Sequence, residues 1–202
     1  MLLAIRHGLG NLANCHGRDA RQAFWYYVLF IYIVTTAISL VVTLPMTMQA
    51  MMAGIQQGMA QAEHGDPAAS EAAIQATVMG SMSQSMQLIV WTSLATALLM
   101  LLGLAASFVR RLHDSGLSGW WAVIPAGLQA FSITTVPSQM NTVEASMQAS
   151  MAGDPLASIS AMQGMFGAGP LAAWGAIIVV VVLGVRKSTD GPNQYGEAPF
   201  VA

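Results

Sequence analysis

Charge is what this sequence has least of. Only 8% of its 202 residues are Asp, Glu, Lys or Arg, against about 25% in a soluble domain. With 55% apolar residues, too few polar side chains remain to coat a water-soluble surface, which argues against four buried helices of a soluble core. Cysteine is nearly absent too. Cys15 stands alone, so one chain holds neither an internal disulfide nor a cysteine-based metal cluster. Catalytic signatures are missing as well: there is no Ser-x-x-Lys, no His-Glu-x-x-His and no glycine-rich phosphate loop. Neither an enzyme, a cofactor nor a nucleic-acid partner is expected.

Long apolar runs are present instead. About 20 mostly apolar residues cross the hydrocarbon core as a helix. Four stretches qualify: Phe24 to Leu44, Leu88 to Val109, Gly119 to about Val136, and Gly169 to Val185. The expected fold is all-α, a four-span transmembrane bundle with the bilayer as its first partner. The third stretch is interrupted by Pro125, Gln129 and a Ser/Thr cluster. Aromatic starts at Phe24-Trp25-Tyr26-Tyr27 and Trp120-Trp121 suit the membrane interface. Reading the first stretch as a cleaved signal fits poorly, because its run is long and Pro45-Met46-Thr47-Met48 lacks a small-x-small site.

The basic residues set the orientation. Arg6, Arg18, Arg21, Arg110, Arg111, Arg186 and Lys187 all lie in 1–23, between the second and third spans, or in 186–202. The other two loops hold Glu63, Asp66, Glu71, Glu144 and Asp154, and no Lys or Arg. The positive-inside rule then puts both termini and the middle loop in the cytoplasm. No span contains an ionisable residue, which counts against a proton-coupled transporter but leaves a Ser/Thr-lined pore open.

The outer loops, 45–87 and 137–168, hold thirteen of the fifteen methionines. Each carries a similar turn, Gly65-Asp66-Pro67-Ala68-Ala69-Ser70 and Gly153-Asp154-Pro155-Leu156-Ala157-Ser158. Gly ends a helix, Asp caps the next, and Pro suits its first position. Apolar residues recur at helical spacing in both loops: Met48, Met51, Met52, Ile55, Met59; Ile74, Val78, Met82, Met86; Met140, Val143, Met147, Met151; Leu156, Ile159, Met162, Phe166. Two helical hairpins are expected, continuing the spans outward with bends at Pro45 and Pro137. Span, hairpin, span then occurs twice, as a parallel internal repeat. Before the first span, Leu2, Ile5, Leu9 and Leu12 with Arg6 and His7 predict a short amphipathic helix on the cytoplasmic face.

The densest polar cluster runs from Arg110 to Trp121, with Arg110 and Asp114 spaced to pair on one helix face. Cys15-His16-Gly17-Arg18-Asp19-Ala20-Arg21 and Asp190-Gly191-Pro192-Asn193-Gln194-Tyr195-Gly196 reach the same surface. Three segments meeting there would build one polar platform. Its functional reading is a head-group or anionic-ligand site of Arg18, Arg21, Arg110, Arg111, His113 and Asp114. Its plainer reading is a topology-setting Arg pair, an Asp cap and a Trp anchor.

These motifs also resemble a family. Gly17-Arg18…Arg21…Phe24-Trp25, then Arg110-Arg111-Leu112-His113-Asp114-Ser115-Gly116-Leu117-Ser118-Gly119-Trp120-Trp121, then Gly191-Pro192-Asn193-Gln194-Tyr195-Gly196, resembles the bacterial inner-membrane family called domain of unknown function 805. The resemblance implies an inner-membrane location and no established activity. The two Met-rich loops depart from it, being longer than is usual there.

Met46, Met48, Met51 and Met52, with His64 nearby, raise a Cu(I) site, since thioethers are soft ligands. Met at helical spacing is more often packing filler, and no other His or Cys lies outside. The favoured expectation is a structural or interaction protein that packs with copies of itself or a membrane-protein partner. A small channel or transporter lined by Thr92, Ser93, Thr96, Gln129, Ser132 and Thr134 is the alternative, and anionic lipid binding at the platform the next.

Overall fold

The computed structural model describes residues 1–62, 67–151, 159, 166–197 and 199–201. Their helices are α1 (Leu2–Gly10), α2 (Arg21–Ala62), α3 (Pro67–Asp114), a 3-10 turn (Gly119–Ala122), α4 (Val123–Thr134), α5 (Val136–Met151) and α6 (Ala168–Val185). The fold is all-α. The described residues hold no strand, only isolated bridges between Asp19 and Phe200 and between Asn193 and Gly196.

Two helices are far longer than a bilayer requires. At about 1.5 Å per residue, the 42 residues of α2 extend roughly 63 Å and the 48 of α3 roughly 72 Å, against a hydrocarbon core of about 30 Å. Both helices therefore continue well beyond their apolar stretches, through the Met-spaced residues. Pro45 does not interrupt α2: it removes only the donor that would reach Val41. Pro67 opens α3 at the position where a missing N–H is harmless. Gly65 and Asp66 of the first expected turn lie outside the described residues. So do Gly153 to Ser158 of the second, and the Leu156 and Met162 positions of its stripe.

Among the described residues, three helices are long and apolar enough to cross a membrane: Arg21–Ala60, Leu88–Asp114 and Ala168–Val185. The expected third span is the one that differs. It is divided into the 3-10 turn, the 12-residue α4 and the start of α5. The break falls at Pro137, where a bend is expected, whereas the one expected at Pro45 does not break α2. Pro137 has no N–H for the Ile133 carbonyl, and its ring crowds that oxygen. The chain tightens at Thr135, whose N–H and Oγ1 both bond to the Ser132 carbonyl at 3.2 and 2.7 Å. Here α4 packs along α6, and a Cβ on Gly169 of α6 would overlap the Thr135 hydroxyl and the Gln139 amide.

The chain forms two compact units, Met1–Thr35 with Ala97–Ala202, and Thr36–Thr96. The core of the first is small: Phe24, Phe108 and Leu112, flanked by Trp25, Val28, Leu117, Ala122, Val180 and Leu183. Phe24 meets Trp25 edge-on at 5.3 Å and Phe108 at 6.0 Å. Gly184 lets α6 approach, since a Cβ there would lie 2.9 Å from the Phe24 ring. Around this core the usual distribution is inverted. Arg110, Arg111 and Asp114 are among the largest fully buried side chains, while Leu29, Ile33, Leu98, Leu102, Ile178 and Val182 are exposed. Apolar side chains that face outward along apolar helices fit lipid, not water.

At the N-terminus, α1 forms where the leucine spacing predicts it, but the leucines do not face the protein. Ala4 and Gly8 are buried, with Gly8 against the Tyr27 ring, and Leu2, Leu9 and Leu12 remain exposed. Small residues on that side allow the close approach that a leucine would block.

Candidate functional site: a buried charge clasp

The feature that organises the first unit is a set of five charged side chains with almost no solvent exposure: Arg18, Asp19, Arg110, Arg111 and Asp114. Arg18 and Asp19 lie just before α2, and the other three end α3. Burying charge is costly unless every charge is paired and hydrogen-bonded. The arrangement meets that condition in two linked halves.

Asp114 centres the first half. Its Oδ1 accepts from Arg18 Nε at 3.3 Å and Arg18 Nη2 at 3.1 Å. Its Oδ2 accepts from Arg111 Nη1 and from the Ser188 hydroxyl. Its backbone carbonyl accepts the Thr189 N–H at 2.8 Å and the Thr189 hydroxyl at 3.0 Å. The remaining Arg18 donors reach the segment after α6: Nη1 to the carbonyls of Gly191 (2.7 Å), Gly196 (3.3 Å) and Glu197 (3.1 Å), Nη2 to that of Thr189 (2.8 Å). Gly191 and Gly196 have φ of +75° and +152°, conformations favourable to glycine, and the turns they make present their carbonyls to the guanidinium.

Asp19 centres the second half. Its Oδ1 accepts from Arg110 Nε at 3.0 Å and lies 3.1 Å from His7 Nε2, and its Oδ2 accepts from the Ser107 hydroxyl at 3.0 Å. The expected pairing of Arg110 with Asp114 does not occur. Arg110 turns to Asp19 from the preceding segment, and Asp114 is occupied by Arg18 and Arg111. A two-pronged link between distant segments satisfies both acids more fully than an i,i+4 contact along α3 would.

Three guanidinium groups face two carboxylates, so one positive charge is left over. Backbone carbonyls absorb it. Arg111 donates to Gly184 O (3.0 Å), in the last turn of α6, and to Arg186 O, just past its end. Arg110 donates to Asn11 O (2.9 Å) and Asn14 O, just past the end of α1. Helix C-termini expose unpaired carbonyls and carry partial negative charge. Each member of the Arg pair therefore closes the end of a different helix.

Two ring stacks complete the assembly. His113 lies on Tyr195 and His7 on Phe200, each at 3.9 Å and within 6° of parallel. Asn193 Nδ2 donates to the His113 carbonyl at 2.9 Å, and the Phe200 N–H to the Arg18 carbonyl at 2.9 Å. The three polar segments thus meet on one platform. Arg21 stands apart: it is exposed, with Nη1 3.5 Å from the Val185 carbonyl. Among the described residues, the buried side-chain nitrogens and oxygens without a partner are Arg110 Nη2, His113 Nδ1 and the Tyr27 hydroxyl.

Sequence reasoning passed over Asp19 as a site residue, and with it Ser107, Ser188, Thr189 and Asn193. A signal for Asp19 existed. It is one of four acids in the segments that hold every basic residue, with Asp114, Asp190 and Glu197. The exposed Lys187–Asp190 pair at 3.1 Å is the ordinary surface kind.

The methionines of the copper reading lie along α2. Helical steps of about 100° put Met48, Met51 and Met52 on one side and Met46 across from them. The four do not converge from α2 alone. His64 lies outside the described residues.

The model of the family described as Protein of unknown function (DUF805) matches residues 12–197, and the chain belongs to that family. The match takes in all five buried charges and the tail carbonyls that Arg18 holds. No curated protein and no solved structure matches the chain.

Proposed function

We propose that this member of the family is a non-enzymatic scaffold of the bacterial inner membrane, which crosses it four times and assembles with copies of itself or a membrane-protein partner. The observation that carries the reading is the saturation of Arg18, Arg110 and Arg111. Their donors go to Asp19, Asp114 and backbone carbonyls, with only Arg110 Nη2 unpartnered. Such a cluster fixes structure; it does not present charge to a substrate.

The fourth crossing is supported by continuity. The 3-10 turn, α4 and α5 follow one another with Thr135 alone between the last two, and α4 packs along α6. It also keeps Arg110 and Arg111 on the opposite side from Glu144 and Asp154, with the termini cytoplasmic. The outer parts of α2 and α3, with Met48, Met51, Met52 and Met59 exposed, are the surface for assembly.

The rival readings have less support. In the channel reading, Thr92, Ser93, Thr96 and Thr134 line a polar path, yet each hydroxyl bonds to a carbonyl three or four residues back on its own helix. That arrangement lets a hydroxyl face lipid at little cost. In the head-group reading, of the arginines counted in that site only Arg21 remains open to solvent.

Mass measurement of the protein purified in mild detergent tests the scaffold. A homo-oligomer or a stoichiometric copurifying membrane protein is expected, and a strict monomer without a partner overturns the reading.

A further inference from the structure

Among the described residues, nothing covers the face of α1 that turns away from Ala4 and Gly8. Leu2 and Leu9, seven residues apart, lie on one stripe with Ile5, and Arg6 borders it. Leu2 is 82% exposed and Leu9 46%, and Leu3 and Leu12 are exposed beside them. Four exposed leucines within eleven residues are too many for a water-facing surface.

The depth of α1 says what covers them. Its Gly8 touches the ring of Tyr27, six residues beyond Arg21 at the start of α2. Six residues of helix rise about 9 Å. Arg21 is the last charged residue before the apolar run of α2, so Tyr27 lies about where head groups give way to acyl chains. Trp25, Tyr26 and Tyr27 occupy the same level, as interfacial aromatics do. Opposite the leucines, Ala4 and Gly8 dock on the protein, and His7 is fixed by Asp19 and Phe200. The helix is thus pinned by its small face at interfacial depth, with its apolar stripe free.

We propose that α1 lies in the membrane interface, its Leu2, Ile5 and Leu9 stripe inserted among the acyl chains of the leaflet on the clasp side. Arg6 then sits among anionic head groups. Through His7, Asp19 and Arg110 the inserted helix joins the clasp, so the leaflet and the charge network are linked. The inference rests on the membrane reading of α2 and α6.

The test uses the full chain in vesicles of phosphatidylethanolamine and phosphatidylglycerol. In a Cys15→Ser background, single cysteines at Leu9→Cys, Ile178→Cys and Lys187→Cys carry an environment-sensitive fluorophore. Ile178 and Lys187 are exposed positions on α6 and in the tail. For the Leu9 probe we expect blue-shifted emission, quenching by acyl-brominated lipid and protection from aqueous iodide. Iodide quenching equal to that of the Lys187 probe overturns the proposal by placing the face in water. Protection from both quenchers overturns it in favour of a protein cover, such as a second copy. If the Ile178 probe escapes brominated lipid, the membrane reading itself falls; if it is quenched while the Leu9 probe is not, only the α1 proposal falls.

Discussion

At their arginine-bearing ends, α2 and α3 are joined by bonds between residues 91 and 96 positions apart, Arg110 to Asp19 and Arg18 to Asp114. Along Thr36–Thr96, the hydroxyls of Thr43, Thr47, Thr92, Ser93 and Thr96 bond to carbonyls only three or four residues back. Both arrangements satisfy polar groups in apolar surroundings. They differ in what else they accomplish. A hydroxyl bonded to its own helix is content wherever that helix goes, so it specifies no tertiary structure. A buried carboxylate that needs Arg18, Arg111 and Ser188 together is satisfied in one arrangement only. The contrast locates the positional information of the fold at the clasp.

The sharpest way to break the contrast is Asp114→Asn. It keeps the side-chain shape and removes the charge that faces Arg18 and Arg111. We expect a loss of about 3–5 kcal/mol, the usual cost of orphaning one side of a buried pair. Reversible unfolding in detergent measures it, and protease sensitivity of residues 188–197 should rise in parallel. An unfolding midpoint within error of the parent refutes the clasp as the main constraint. Next is Gly184→Ala, which sets a methyl 2.9 Å from the Phe24 ring and lifts α6 off the core beside Arg111. Overpacking of this kind costs about 1–3 kcal/mol, and the same unfolding assay reads it. The smallest effect is expected from Thr92→Val, where the lost bond is local: a change within about 0.5 kcal/mol. A larger loss there shows that hydroxyls of this region do contribute to tertiary structure, and a change in solute flux in vesicles revives the channel.

Much of the architecture is legible in the residues themselves. The apolar runs around Phe24, Leu88 and Gly169 mark the helices that qualify as spans, because hydropathy over 20 residues needs no tertiary knowledge. The breaks come where a single residue decides. Pro137 lies just past the expected third span, yet it acts four residues back, on the Ile133 carbonyl. The clasp was half visible. Its charges are plain in 15–21 and 110–114, but a spacing rule sees only local partners and so paired Arg110 with Asp114. What sets the true pairing is the meeting of three segments, and the excess positive charge is met by carbonyls of α6 and of the chain just past α1. Backbone acceptors leave no mark in side-chain identity. For α1 the spacing gives the helix but not its covering. Spacing identifies an apolar stripe but not whether protein or lipid is to cover it.

Arg18 precedes α2 and takes its carbonyl partners from residues 189–197, made after α6. Until that segment is made, Asp114 is the partner of this guanidinium that the chain already supplies. Filling the last Arg18 donors is therefore a late event in synthesis. A chain cut short after α6 would keep the Arg18–Asp114 pair but leave Arg18 Nη1 and the Asp114 carbonyl without the partners that residues 189–197 supply. In that sense the segment after α6 finishes what Arg18 begins.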